Sequence, residues 1–184
     1  MLDKAAKLVR LIGSTKREKR LGTVIFFVTS RCNAFCRTCF YWEELNRPGD
    51  LTFEQIQKIS KTMPPITDLW LSGGEPSLRK DVPEIIDTFV ANNGVTRIII
   101  PTNGLVKSRI FQIVDRALGS NSGLDLYLNV ALDGYGETHD RIRGVPGNWE
   151  KTLDCIESLY PLKATYGDRL KLNVNTVVCA ENYQ

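Results

Sequence analysis

Short apolar stretches alternate along the chain with longer segments whose apolar residues recur at helical spacing. The first stretch, Thr23–Thr29, is rich in β-branched and aromatic residues, which predicts a strand buried on both faces. The same pattern predicts further strands at Asp68–Ser72, Arg97–Pro101, Leu124–Leu132 and Leu170–Val178. The segments between them predict helices at Phe53–Lys61, Val82–Asn92, Val106–Leu118 and Trp149–Thr165. Thr52 and Gln55 form a capping-box pattern at the start of the first of these helices.

This alternation predicts right-handed βαβ units and a parallel sheet. Every unusual motif comes directly after a predicted strand, at Cys32–Cys39, Gly73–Glu75, Thr102–Gly104 and Asp133–Arg143, the last within a long polar loop. The carboxyl ends of the strands converge on one mouth in a barrel, whereas an open sheet spreads them along an edge. We therefore expect an α/β fold, a partial (β/α) barrel of about five βα units, rather than an open doubly wound sheet.

The N-terminal residues have a different pattern. Leu2, Val9 and Ile12 belong to a set of apolar residues at helical spacing, and a basic run follows Gly13. We predict an amphipathic helix and basic linker over residues 1–21, ahead of a single core domain at 22–184. The helix is expected to cover one end of the barrel, with contact to an anionic membrane surface or substrate as the alternative.

Composition narrows the possible classes of protein. The 184 residues are 42% apolar and 24% charged, as in an ordinary globular domain, and the net charge of +3 is too small to indicate nucleic-acid binding. No apolar run approaches the roughly 20 residues that a membrane span needs, and no secretory signal pattern is present, so we expect a cytoplasmic protein. Five cysteines, three of them crowded together, favour a metal site in a reducing compartment over a disulfide framework.

Those three cysteines, Cys32, Cys36 and Cys39, form a C-x3-C-x2-C run directly after the first strand. Thiolates gathered so closely suit a soft metal centre. Four-iron clusters are ordinarily held by four cysteines, one per iron, so three would leave one iron open to a small molecule. Zinc is the alternative because it also binds closely spaced thiolates, although no fourth ligand lies at finger-like spacing.

The cysteine run, together with Gly73-Gly74-Glu75-Pro76 after the second strand, resembles the radical SAM (S-adenosylmethionine) enzymes. The segment Leu132–Gly144 is similar to the branch that modifies peptides and cofactors and often carries a C-terminal SPASM or twitch auxiliary-cluster domain. The resemblance implies a six-strand partial barrel, so the sixth strand and any auxiliary domain are missing from this sequence, which we interpret as C-terminally incomplete.

The resemblance also implies cofactors and partners. A [4Fe-4S] cluster is expected on Cys32, Cys36 and Cys39, with the amino and carboxylate groups of SAM on the fourth iron. An electron donor such as flavodoxin or ferredoxin would drive cleavage of SAM to a 5′-deoxyadenosyl radical. That radical would abstract a hydrogen atom from a substrate that is either a peptide or a small molecule such as a cofactor precursor.

The resemblance and side-chain chemistry together assign the candidate SAM contacts. These are Phe40, Gly73, Gly74, Glu75, Thr102, Asn103, Asn129, Asp133 and Arg143. Gly73 and Gly74 would let the backbone approach the methionine moiety, and Glu75 would accept hydrogen bonds from its ammonium group. Thr102 and Asn103 lie where the family contacts SAM from the third strand. Arg143 is a fixed cation suited to the SAM carboxylate.

Two positions depart from the family pattern. Thr38 stands where an aromatic residue is usual, so Phe40 is expected to pack on the adenine instead. Ala131 stands where serine is usual before Leu-Asp-Gly, which moves the expected ribose contact to Asn129 or Asp133.

Other polar and sulfur-containing residues receive ordinary roles, and no catalytic residue is assigned. His139 is expected to be a structural hydrogen-bonding residue rather than a general base. Cys155 and Cys179 are expected to pack in the core, with substrate contact as the alternative for Cys179. The alternative functions are a non-catalytic zinc- or cluster-stabilised binding module and SAM-dependent methyl transfer without a radical.

Overall fold

The computed structural model describes residues 21–184, so the predicted helix near the N-terminus lies outside the described part of the chain. Five parallel strands form one sheet, and their order in space follows their order in the chain. The strands are β1 (Thr23–Thr29), β2 (Asp68–Gly73), β3 (Arg97–Thr102), β4 (Asp125–Ala131) and β5 (Leu170–Asn175). A sheet wound in one direction with helical crossovers is a segment of a (β/α) barrel, so the predicted fold class is confirmed.

The helices follow the strands on the side of the sheet that carries the core. They are α1 (Phe53–Thr62), α2 (Val82–Asn93), α3 (Lys107–Ser120), α4 (Glu137–Arg143), α5 (Asn148–Leu159) and α6 (Leu162–Tyr166). Single 3-10 turns lie at Trp42–Glu44, Pro76–Leu78 and Gly167–Arg169. Within residues 21–184, no helix combines the length and apolar character that crossing a bilayer requires.

Local sequence signals explain where α1 begins. The Thr52 hydroxyl accepts a hydrogen bond from the Gln55 amide at 3.3 Å, and the Gln55 side chain accepts one from the Thr52 amide at 2.8 Å. This reciprocal pair satisfies two amides that the helix itself leaves unpaired. The predicted capping box is therefore confirmed.

Three predicted elements need correction. The polar loop predicted after β4 contains helix α4, which ends at Gly144 with a left-handed φ of 67°. The helix predicted at Trp149–Thr165 is two helices that meet at Tyr160 and Pro161, because proline lacks the amide proton that a continuous helix needs. The last strand ends at Asn175 rather than Val178.

The core lies between the sheet and the helices. Alternate strand residues such as Leu71, Ile100 and Leu128 are buried there against helical side chains such as Phe89. Cys155 is fully buried in this core, as expected, and burial raises the pKa of its thiol to about 11. The opposite face of the sheet is the inner face of the barrel segment.

Candidate metal and cofactor site

A cavity of about 340 Å³ opens at the carboxyl edge of the sheet, beside the loop that carries the three close cysteines. Parallel strands place all their carboxyl ends at this edge, so motifs far apart in sequence meet here. The predicted site residues that line the cavity are Cys32, Cys36, Cys39, Phe40, Gly73, Gly74, Glu75, Thr102, Asn103 and Arg143. The structure therefore brings together the three predicted thiols and most of the predicted cofactor contacts.

Two predicted residues are not in the lining. Asn129 is nearly buried on β4, and its side-chain oxygen accepts a hydrogen bond of 3.0 Å from Asn173. Asp133 is completely buried behind the cavity. The lining instead includes Ala131 and Asn175, which pair with each other across β4 and β5 and which the sequence pattern did not indicate as contacts. Ala131 is the last residue of β4 and Asn175 the last residue of β5, whereas the sequence predicted that the fifth strand continues to Val178.

The cysteine loop, defined as residues 30–41, is fixed at its start by side chains of the following turn. Asn46 accepts a hydrogen bond of 3.0 Å from the Cys32 amide and adopts a left-handed φ of 60°, which asparagine tolerates better than most residues. Asp50 accepts hydrogen bonds from the Thr29 hydroxyl and the Ser30 amide at 2.6 and 2.7 Å. Although burial opposes it, these bonds hold the pKa of Asp50 below its usual value. None of these supports was predicted.

Helix α4 supports the far side of the cysteine loop. The Phe35 amide donates to the Arg143 carbonyl at 3.1 Å, and the Arg37 amide donates to the Ile142 carbonyl at 2.8 Å. Gly144 lies so close that an added Cβ atom would collide with the Phe35 carbonyl oxygen. The helix missed from the sequence therefore forms part of the frame around the cysteines.

The glycine motif after β2 packs directly against the cysteine loop. The Gly74 amide donates to the Thr29 carbonyl at 2.8 Å, and the Glu75 amide donates to the Arg31 carbonyl at 2.7 Å. A Cβ atom at Gly73 would collide with the Thr29 carbonyl oxygen, and one at Gly74 with the Arg31 carbonyl oxygen. These glycines are thus required for the contact between two loops, besides leaving room in the cavity.

Glu75 joins the ends of β2 and β3. Its carboxylate is 2% exposed and accepts hydrogen bonds from the Ser77 amide (3.1 Å), the Thr102 hydroxyl (2.9 Å) and the Asn103 amide (2.7 Å). Burial raises the pKa of Glu75, while these three donors act in the opposite direction. The Asn103 side chain also donates to Asn33 at 2.8 Å, which links the end of β3 to the cysteine loop.

Arg143 is the cation of the cavity lining. Its guanidinium donates to the Asp133 carboxylate at 3.0 Å, and the two side chains are only 13% and 1% exposed. His139 is fully buried and accepts a hydrogen bond of 3.0 Å at Nδ1 from the Asp133 amide. The expected structural role of His139 agrees with this placement.

The remaining candidates lie at the rim or outside the site. The Phe40 ring is 85% exposed at the cavity rim and contacts Phe27 with ring centroids 6.4 Å apart. Cys179 comes after β5, is partly exposed and lies outside the apolar core, so the expectation that it packs in the core is wrong.

The donor set fits a four-iron cluster. Cys32, Cys36 and Cys39 carry free thiols that face one cavity, and burial raises the pKa values of the Cys32 and Cys36 thiols. Within residues 21–184, no three such side chains are close enough together to hold a single metal ion. A four-iron cluster takes one thiolate per iron, so the three thiols would serve three of its four irons. Cys36 also lies near Arg143, whose charge favours the thiolate form.

Comparison with known proteins agrees with this geometry. Residues 26–165 match the family model of the radical SAM superfamily. The chain is 29% identical over 162 residues to Fe-coproporphyrin III synthase of Methanosarcina barkeri. The aligned region covers 84% of this chain and 38% of that protein. It is 35% identical over 165 residues to AdoMet-dependent heme synthase of the same organism, with 85% of this chain and 42% of that protein covered.

A further relative and a solved structure extend the comparison. GTP 3′,8-cyclase of Tolumonas auensis is 30% identical over 156 residues, which covers 82% of this chain and 43% of that protein. The structure of native anSMEcpe with bound AdoMet and Cp18Cys peptide is similar in fold, with a TM-score of 0.59 and 20% identity over 84% of this chain and 42% of that chain. The chain thus spans 38% to 43% of the length of these three curated relatives.

Proposed function

Because the chain belongs to the radical SAM superfamily, whose members use a [4Fe-4S] cluster and SAM, we propose that it forms the core of an enzyme that cleaves SAM reductively. One observation supports this proposal above the others. Three thiols, a buried carboxylate and a largely buried guanidinium line one cavity at the carboxyl edge of the sheet. A zinc-stabilised binding module would need the thiols but not the two buried charges, and methyl transfer without a radical would need no thiols.

In the proposed enzyme, Cys32, Cys36 and Cys39 hold the cluster with one thiolate per iron. When bound there, the cluster and SAM would supply the chemistry, which is one-electron cleavage of SAM to methionine and a 5′-deoxyadenosyl radical that takes a hydrogen atom from the substrate, with the electron coming from a donor such as flavodoxin or ferredoxin. The protein orients SAM and the substrate and keeps water away from the reacting atoms.

The charges of the cavity suit the amino-acid end of SAM. Glu75 offers a carboxylate for the SAM ammonium group. Its Oε2 accepts one hydrogen bond, from the Asn103 amide, and retains capacity for a second one. Arg143 offers a guanidinium for the SAM carboxylate. Its Nε atom is buried without a hydrogen-bond partner among the residues that the structure describes. Thr102 and Asn103 complete this side of the cavity, where Gly73 and Gly74 leave room for the ligand.

The nucleoside end of SAM is assigned to the rim. The exposed ring of Phe40 is available for stacking on the adenine. We move the ribose contact to Asn175, because this residue lines the cavity whereas Asn129 and Asp133 do not. Both of those residues are instead hydrogen-bonded to other parts of the protein.

For the substrate, we propose a cofactor precursor rather than a peptide. The relatives with 29% to 35% identity are named as synthases of heme compounds and as a cyclase of GTP, whereas the peptide-bound neighbour is similar in fold alone. The inner sheet face also presents the aromatic side chains of Phe27 and Trp70, 40% and 38% exposed, which suit a flat ring system.

The proposal is tested by anaerobic reconstitution with iron and sulfide, followed by dithionite and SAM. We expect about four irons per protein and release of 5′-deoxyadenosine. Cys36→Ala should lose both, whereas Cys179→Ser, a matched change outside the cavity, should retain both. One zinc per protein without nucleoside release would support the binding module, and S-adenosylhomocysteine as the product would indicate methyl transfer; either result contradicts the proposal.

A further inference from the structure

Every polar group of Asp133 already has a partner within the protein, and its side chain is buried outside the cavity lining. Its Oδ2 accepts from Arg143 at 3.0 Å, and its Oδ1 accepts from the Val177 amide at 2.8 Å. Its carbonyl accepts from the Asn182 side chain at 2.9 Å, and its amide donates to His139 Nδ1 at 3.0 Å. The side chain is 1% exposed and is not in the cavity lining.

Arg143, in contrast, does reach the cavity and is held from both ends. Its backbone carbonyl accepts from the Phe35 amide at 3.1 Å, and one guanidinium nitrogen is fixed by Asp133. A guanidinium carries five N–H donors, so several remain for a ligand after this bond is made. Because the hydrogen bond to Asp133 already restricts the rotamers of the long Arg143 side chain, this side chain loses less conformational entropy when a ligand binds.

His139 fixes the backbone of Asp133. Because Nδ1 accepts a hydrogen bond, the proton of the neutral ring lies on Nε2. Burial, assisted by the charge of Arg143, lowers the pKa of His139 and so favours this neutral form. The Trp149 ring packs edgewise on the imidazole at 5.9 Å, and the Tyr135 ring covers Trp149 at 4.8 Å.

We propose that Asp133 and His139 are positioning residues for Arg143 and that neither contacts the cofactor. Asp133 orients the guanidinium toward the carboxylate of SAM, and His139 holds the backbone of Asp133 in place through its hydrogen bond. The inference rests on the proposed function, since it assumes that the cavity takes the amino-acid end of SAM.

The test measures dissociation constants rather than turnover. Cluster-loaded protein is equilibrated with SAM or with decarboxylated SAM, which lacks the carboxylate but keeps the nucleoside and the ammonium group. Arg143→Ala should weaken SAM binding about tenfold or more while changing the binding of decarboxylated SAM much less, as expected for a charge-assisted hydrogen bond. Asp133→Asn should show the same selectivity, and the double variant should be no weaker than Arg143→Ala alone.

A direct ribose contact by Asp133 gives the opposite pattern. Asp133→Asn would then weaken both ligands equally, and its effect would multiply with that of Arg143→Ala. Either result overturns the inference. If Arg143→Ala does not alter the preference for SAM over its decarboxylated analogue, the inference fails. The proposed function would still stand, because it is judged by the release of 5′-deoxyadenosine from the wild-type protein. If the loaded wild-type protein binds neither ligand, it is the proposed function that fails.

His139 provides a rescue experiment. His139→Asn keeps an acceptor near the position of Nδ1, whereas His139→Leu removes it and keeps the apolar volume. We expect His139→Asn to bind SAM within about threefold of wild type, and His139→Leu to lose affinity selectively for SAM. Equal behaviour of the two variants would show that His139 only fills space and would remove it from the proposal.

Discussion

A methyl group added at Gly144 should displace the cysteine loop without touching any cysteine. Gly144 follows α4 with φ 67° and ψ 27°, and a Cβ atom there would collide with the Phe35 carbonyl oxygen. Gly94 follows α2 with nearly the same angles, φ 66° and ψ 30°, but has nothing within 4 Å of its Cβ position. Both Gly144→Ala and Gly94→Ala introduce backbone strain, but only Gly144→Ala introduces a collision. Comparing the two variants therefore isolates the effect of the collision.

The magnitudes follow from these contacts. The left-handed conformation costs alanine about 1–2 kcal/mol, and the lower entropy of the unfolded chain offsets about 0.4–1 kcal/mol, so each variant loses about 1 kcal/mol. Gly144→Ala also breaks the two backbone hydrogen bonds from Phe35 and Arg37 to α4, at about 1 kcal/mol each. We expect free energies of unfolding to fall by about 3 kcal/mol for Gly144→Ala and about 1 kcal/mol for Gly94→Ala.

Urea denaturation of the metal-free variants measures these values, and thermal unfolding should place Gly144→Ala about 4–8 °C below Gly94→Ala. Iron content after reconstitution provides the functional measurement, because Gly94→Ala should bind the wild-type amount and Gly144→Ala much less. If the two variants have equal stability and equal iron content, α4 does not support the cysteine loop and the reasoning is wrong.

Two further predictions concern residues away from the cavity. Thr52→Ala should lower the free energy of unfolding by about 1 kcal/mol in urea denaturation, through loss of the α1 cap, and leave iron content unchanged; reduced iron binding would contradict this separation. Cys155, fully buried with a pKa of about 11, is protonated at pH 8 and should not react with iodoacetamide until the protein unfolds, as peptide mass analysis would show; rapid labelling of the native protein would contradict its burial.

The sequence was sufficient where the determining interactions are local. The strands follow from continuous apolar runs, and the start of α1 follows from two residues three positions apart. Helix α4 was missed because only His139 and Ile142 among its residues are buried, which leaves no apolar stripe to detect. Its support is tertiary, since Asp140 accepts a hydrogen bond of 2.7 Å from the Trp149 amide at the start of α5.

The candidate site was predictable in its members but not in their arrangement. Side-chain chemistry placed Glu75 and Arg143 at the site, and both line the cavity. It also placed Asp133 there as a ligand contact, because a sequence does not show that both carboxylate oxygens already have partners. One of these partners, the Val177 amide, lies 44 residues further along the chain, so the contact is not visible in the local sequence.

Besides the side chains of Asn46 and Asp50, backbone contacts from two other motifs hold the cysteine loop in position. Gly73 and Gly74 approach it from the end of β2, and α4 approaches it from the opposite side with Gly144. Each approach excludes a Cβ atom, so a single methyl group there moves the loop, whereas a comparable change in a helix cap alters stability alone. Iron binding should therefore depend on substitutions at these glycines far more than on overall stability. A variant set in which iron content simply followed the free energy of unfolding would contradict this separation.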